Sequence, residues 1–126
     1  MEPQEALEIL AKSFIDTFEC PSNKRIFQIL ISESVNNPEV SDHFAEVVIL
    51  PVRDFLVPYF ERKMAEGELR QHDPEVSARV FAGTLVHTVL CDAIFPQVWD
   101  CQPLSDDHIQ EIVMIFLEGL RTDETV

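Results

Sequence analysis

Residues 73–95 read DPEVSARVFAGTLVHTVLCDAIF, and the fold follows from this stretch. Asp73 offers a helix N-cap, Pro74 occupies the first helical position, and Glu75 puts a carboxylate near the positive end of the helix dipole. Placed on a helical wheel, Val76, Val80, Gly83, His87, Leu90, Cys91 and Ile94 fall on one face. Ala78, Ala82, Leu85, Val86, Val89 and Ala93 fall on nearly the opposite one. Only Ser77, Thr84, Thr88 and Asp92 form a narrow polar strip between them. A helix that is apolar on two faces must be buried on two sides, so the segment predicts the central helix of an all-α domain.

The flanking sequence supplies the helices to surround it. Leu7, Leu10, Ala11, Phe14, Ile15 and Phe18 keep the i, i+3, i+4 spacing and predict an amphipathic helix over residues 3–19, opened by Pro3 and stopped by Pro21. Ser22 is the expected N-cap of a second, mostly buried helix carrying Ile26, Phe27, Ile29, Leu30 and Ile31, ended by Asn36-Asn37-Pro38. A third helix is expected from Pro38 or Ser41 to about Ala65, with Val40, Phe44, Val47, Val48, Val52, Phe55 and Tyr59 on one broad stripe. Pro51 and Pro58 each remove a donor and crowd the carbonyl four residues earlier, so a kink or split is expected. That bend reads either as simple curvature or as an opening for a ligand. Glu66-Gly67-Glu68 closes the third helix, and residues 69–72 read as a linker.

Beyond residue 95, Pro96 to Pro103 reads as a loop holding Trp99, the one tryptophan. Ser105 caps a last helix with Asp106 and Asp107 in its first turn and Ile109, Ile112, Val113, Phe116, Leu117 and Leu120 on its core stripe. Met114 and Ile115 lie outside that stripe, and residues 122–126 are expected to fray. The result is an all-α bundle of five to six helices, a single domain over residues 1–126.

Composition narrows the partners. Nine Lys and Arg stand against 23 Asp and Glu, a net charge of −14. Such a surface repels phosphate backbones and anionic headgroups, which argues against direct contact with DNA or a membrane. Cys20, Cys91 and Cys101 follow an acidic rather than basic start, so a reducing cytoplasm is the expected compartment. The densest apolar run, Val80 to Phe95, is broken by Gly83, His87 and Asp92 and is not expected to cross a bilayer.

No phosphate-binding glycine loop, HExxH pair, CxxC or nucleophile elbow occurs, so no catalytic residue and no cofactor is expected. His87 and Cys91 have the i, i+4 spacing that can hold a metal, but a lone pair on an apolar face matches core packing or pocket lining, and no metal is expected. His43, His72 and His108 read as solvated. The sparse polar groups Tyr59, Thr84, His87, Thr88 and Cys91 are candidates to orient a small molecule in a cavity walled by Phe14, Phe18, Phe55 and Phe95. The same groups read equally as satisfied core residues. Surplus apolar surface on the last two long helices points to a two-fold homodimer through an intermolecular four-helix bundle. Its candidate residues are Ala78, Ala82, Leu85, Val86, Val89, Met114, Ile115 and Gly119. A helix 73–95 that is simply central within one chain is the other reading.

Three passages in order carry a family resemblance. Gly67-Glu68-Leu69-Arg70, followed by Asp73-Pro74 and Ala78-Arg79, resembles the "G-E-L-R…D-P…A-R" run of TetR/AcrR-family regulators. Asn37-Pro38-Glu39 with Phe44 resembles their "N-P-E…F" helix restart, and Phe116-Leu117-Glu118-Gly119-Leu120 their final helix. The resemblance implies a non-enzymatic, C-terminal effector-binding and dimerisation domain of a repressor. A small, often lipophilic effector would shift its helices and so alter DNA binding, with a coupling of about 1–3 kcal/mol. The family's helix-turn-helix has no counterpart in these 126 residues, so DNA is expected as a partner only through such a module. A stand-alone helical module for protein interaction or small-ligand binding is the alternative.

Overall fold

A computed structural model describes residues 2–99 and 104–122. The helices are α1 (Pro3–Glu19), α2 (Pro21–Ser34), α3 (Pro38–Phe44), α4 (Leu50–Ala65), α5 (Pro74–Ile94) and α6 (Asp106–Glu118), with a π-helical turn, Ala45–Ile49, joining α3 to α4.

Prolines set most of the starts. Pro21 ends α1 and also opens α2, so the N-cap of α2 is Cys20 rather than Ser22. A residue before proline is pushed out of the helical region, and Cys20 has the extended ψ of 127° that this requires. Asn37 caps α3 by accepting hydrogen bonds from the Glu39 and Val40 amides. Asp73 accepts from the Glu75 amide at the head of α5, 3.0 Å away. Ser105 and His108 close a reciprocal cap on α6, which gives His108 a structural partner instead of a solvated ring. His72 is likewise engaged, its ring nitrogens 2.7 Å from the Arg70 carbonyl and 2.8 Å from the Ser77 hydroxyl.

The expected break in the third helix falls at Pro51. Pro51 has no amide hydrogen, and its ring would crowd the carbonyl of residue 47 in a regular helix. The chain widens instead: the Leu50 amide donates to the Ala45 carbonyl, five residues back, and Pro51 enters in the first turn of α4. Pro58 lies inside α4 without ending it. The C-terminus of α4 is closed by Gly67, whose φ of +81° suits glycine. The Lys63 ammonium reaches Glu68 at 2.9 Å and Glu66 at 3.3 Å. Residues 69–72 are pinned to the end of α6, with the Arg70 amide donating to the Leu120 carbonyl and its side chain to the Gly119 carbonyl, both at 2.8 Å.

α5 packs on α4, α1 and α2, and α6 runs antiparallel along α1, where Lys12 meets Asp106 at 3.0 Å. The main core joins Leu7, Leu56, Phe60, Phe81, Leu85, Val113 and Leu117. A chain of rings, Phe14, Phe18, Phe27 and Phe44, with centroids 5.2–5.8 Å apart, ties α1, α2 and α3 together. Lys24 and Asp92, 3.0 Å apart, hold α2 to α5.

One expectation needs correction. α2 is not mostly buried: Phe27 alone is, while Ile26 and Ile29 are 53% and 55% exposed. α2 packs against α1, α3 and α5, and the side bearing Ile26 and Ile29 stays exposed among the described residues. α5 reaches the length and mean hydropathy of a membrane span, a test that the core helix of a soluble protein also passes. That composition serves burial between helices, since Ala78, Phe81, Leu85, Val89 and Ala93 are all enclosed.

Phe81 is 1% exposed with its ring 5.0 Å from Phe116. Phe81→Ala should lower the unfolding free energy by about 3–5 kcal/mol in urea titration, whereas Ile26→Ala should change it by less than about 0.5 kcal/mol. The two carboxylates, Glu68 above all, raise Lys63 above the ordinary lysine range. Its contribution to stability is therefore present below that range and is lost as pH rises through the raised value. The stability deficit of Lys63→Gln should vanish in strongly alkaline solution, read by the same titration.

Candidate functional site

An apolar groove of about 280 Å³ lies where the π turn and the head of α4 meet α5. Val48, Ile49 and Val52 form one wall, Ala82, Gly83, Leu85 and Val86 the other, and Phe14 of α1 closes the floor. Arg79, one turn before Gly83, borders it as the charged member of the lining. The groove follows from local chemistry. The π turn carries an extra residue in its loop of hydrogen bonds and displaces Val48 and Ile49 from regular helical positions. Opposite, Ala82 and Gly83 offer almost no side chain, and a Cβ built at Gly83 would meet nothing within 4 Å. A larger depression of about 880 Å³ sits beside the start of α1, but Glu2, Glu68, Glu118, Arg70 and Arg121 line it. It offers a small molecule little apolar burial.

The residues expected to form a pocket are not brought together. Phe14 borders the groove. Phe18 and Thr88 flank a separate space of about 10 Å³, barely a water's worth. Phe55 stacks on Tyr59, with centroids 5.7 Å apart, on another side of α4, and Tyr59 is buried in the main core. Burial pushes the Tyr59 phenol up, with the Lys63 ammonium opposing. Thr84 and Thr88 donate to the carbonyls of Val80 and Thr84 in their own helix, each at 2.9 Å. Cys91 is buried with its sulfur 3.5 Å from His87 Nε2, and exposed His87 meets Trp99 edge-on at 6.2 Å. Phe95 is exposed. Among the described residues no three His, Cys, Asp or Glu side chains gather as a metal site.

The candidate interface residues also divide. Ala78, Leu85 and Val89 are 1–4% exposed and belong to the core of the single chain, so they cannot face a partner. Ala82 and Val86 are half-buried along the groove, and Gly119 is exposed just past α6. Met114 and Ile115 do stand free, 48% and 67% exposed. The uncovered side of α5 is the opposite face. Val76, Val80 and Ile94 are 55%, 54% and 38% exposed. With Gly83, His87 and half-buried Leu90 they keep the alternating four-and-three spacing of a helix-packing seam.

Sequence reading did not find the groove wall formed by Val48 and Ile49 or the edge formed by Arg79. The available signal was Pro51 two residues after a β-branched run, Val47-Val48-Ile49. An all-α bundle wrapped on one long two-faced helix is the architecture of a TetR-type regulatory domain. The family model of the AefR-like transcriptional repressor C-terminal domain matches residues 5–119, and the chain belongs to this family of transcription regulators. No curated protein matches the chain significantly.

Gly83 sits mid-helix, exposed, with ordinary helical geometry and free space around it. Neither its φ nor a close neighbour requires glycine there. Gly83→Ala should therefore stabilise the domain by about 0.5–1 kcal/mol in urea titration.

Proposed function

We propose that the domain senses a small apolar effector in the groove between the π turn and α5, and dimerises through the exposed seam of α5 together with α6. In this reading it works in the cytoplasm, by binding rather than catalysis, and passes its state to a DNA-binding module. The observation that carries it is the groove itself: apolar walls, a helix widened on one side, and a glycine on the other where alanine would be more stable. Pockets for small molecules have this make-up, mostly apolar with few polar groups. Family membership supports both properties, since TetR-type domains generally dimerise and bind effectors.

The groove and the seam share α5. A ligand between Val48 and Val86 bears on the same helix whose other side, Val76 to Ile94, meets the partner copy. An effector that binds one dimer arrangement better than the other shifts the balance by its difference in affinity, about 1–3 kcal/mol in typical regulators.

Light scattering at micromolar concentration should show a dimer. Val80→Glu and Ile115→Glu should each give a folded monomer, because a charge at the centre of a seam has no partner across it. Leu85→Glu should unfold the chain instead, since Leu85 is in the core. A folded wild-type monomer at these concentrations would refute the dimer. For the groove, 1-octanol should raise the melting temperature of the wild type and not that of Gly83→Leu, in which the added side chain occupies the space.

A further inference from the structure

Arg79 is the one charged residue in the lining of the apolar groove. Four of the 9 basic side chains pair with carboxylates among the described residues. Lys12 meets Asp16 and Asp106, Lys24 meets Asp92, Arg53 meets Asp54, and Lys63 meets Glu66 and Glu68. Arg79, at the edge of the apolar groove, makes no ion pair or hydrogen bond with any described residue. Glu75 stands one helical turn earlier, at the spacing that permits a pair, and does not form one.

We infer that the groove takes a medium-chain organic anion, with a carboxylate held by the Arg79 guanidinium and an unbranched apolar tail lying between the π turn and α5. This rests on the effector reading of the same groove and specifies its ligand class. The guanidinium is charged at every physiological pH and offers a planar fork matched to a carboxylate. An arginine at such an edge can lay its aliphatic stem along apolar surface and keep its head in water. The next turn of the helix presents Gly83, so the way from the guanidinium into the groove is not closed by a side chain on that turn. A space of about 280 Å³ corresponds to about nine water-sized groups at roughly 30 Å³ each, which suits a chain of about eight carbons. The net charge of −14 opposes an anion at long range. That repulsion is screened beyond about 8 Å at physiological ionic strength, whereas the contact with Arg79 is direct, so the local charge decides.

The test is calorimetric titration of the full chain near neutral pH with octanoate, 1-octanol and octylammonium, on wild type, Arg79→Gln and Arg79→Lys. Octanoate is expected to bind most tightly and octylammonium least. Arg79→Gln should weaken octanoate about fivefold to tenfold and leave octanol unchanged, as befits an ion pair at a partly wet edge. Arg79→Lys should keep most of the octanoate affinity. Octanol binding as tightly as octanoate, with Arg79→Gln affecting neither, would overturn the anion assignment and leave an apolar effector groove standing. Failure of all three probes to bind the wild type would overturn the groove reading as well. An Arg79→Gln variant with unchanged octanoate affinity and a weakened dimer would also overturn the assignment, by placing the partner of Arg79 on a second copy. Arg79 is exposed, so both variants should fold, and their melting curves verify this.

Discussion

Everything in this domain answers to the need to cover α5. A 21-residue helix with a polar strip four residues wide cannot rest on water, and the rest of the chain covers only part of it. α4 and α1 enclose Ala78, Phe81 and Leu85, and α2 encloses Val89 and Ala93. Val76, Val80 and Ile94 on the far face stay exposed among the described residues. At about 25 cal/mol per Å² of apolar area, an exposed seam of this length is a sizeable unrealised gain, and it is the physical reason to look for a second copy.

What the sequence revealed and what it hid follow from this geometry. Caps and breakers are local chemistry, so Pro3, Asp73 and Ser105 located helix starts directly, and Ser22 misled only because Pro21 could serve both helices. The two-faced character of α5 was equally plain. Which face turns inward was not: Ala78-Leu85-Val89 and Val76-Val80-Ile94 are equally apolar, and the choice depends on where α1 and α4 lie. The candidate interface accordingly included Ala78, Leu85 and Val89, which the single chain itself encloses. The same limit applies to α2, where Ile26 and Ile29 promised burial that no neighbour provides.

The site was less legible than the fold, for a different reason. Polar residues on an apolar helix attract attention as ligand contacts, yet Thr84 and Thr88 spend their hydroxyls on carbonyls one turn back, and Cys91 is turned toward His87. Hydroxyls in helices commonly bond in this way, so they say little about a ligand. The groove depends instead on what is missing: a side chain at Gly83, an amide hydrogen at Pro51, an ion-pair partner for Arg79. Absences of this kind acquire meaning only once neighbours are known.

Gly83 connects the two proposed roles most closely. It lies in the groove wall and also in the exposed seam, because a residue without a side chain belongs to both sides of the helix. In a dimer built on that seam, the partner's side chains would pack against the backbone at Gly83, while a ligand tail would press on the same turn from the groove. Neither contact needs to move far to be felt by the other, since only one turn of α5 separates them. A rigid, close-packed helix transmits such a displacement rather than absorbing it. On this view the helix that organises the fold is also the element through which occupancy of the groove alters the fit between copies, and the glycine costs stability because it serves that exchange.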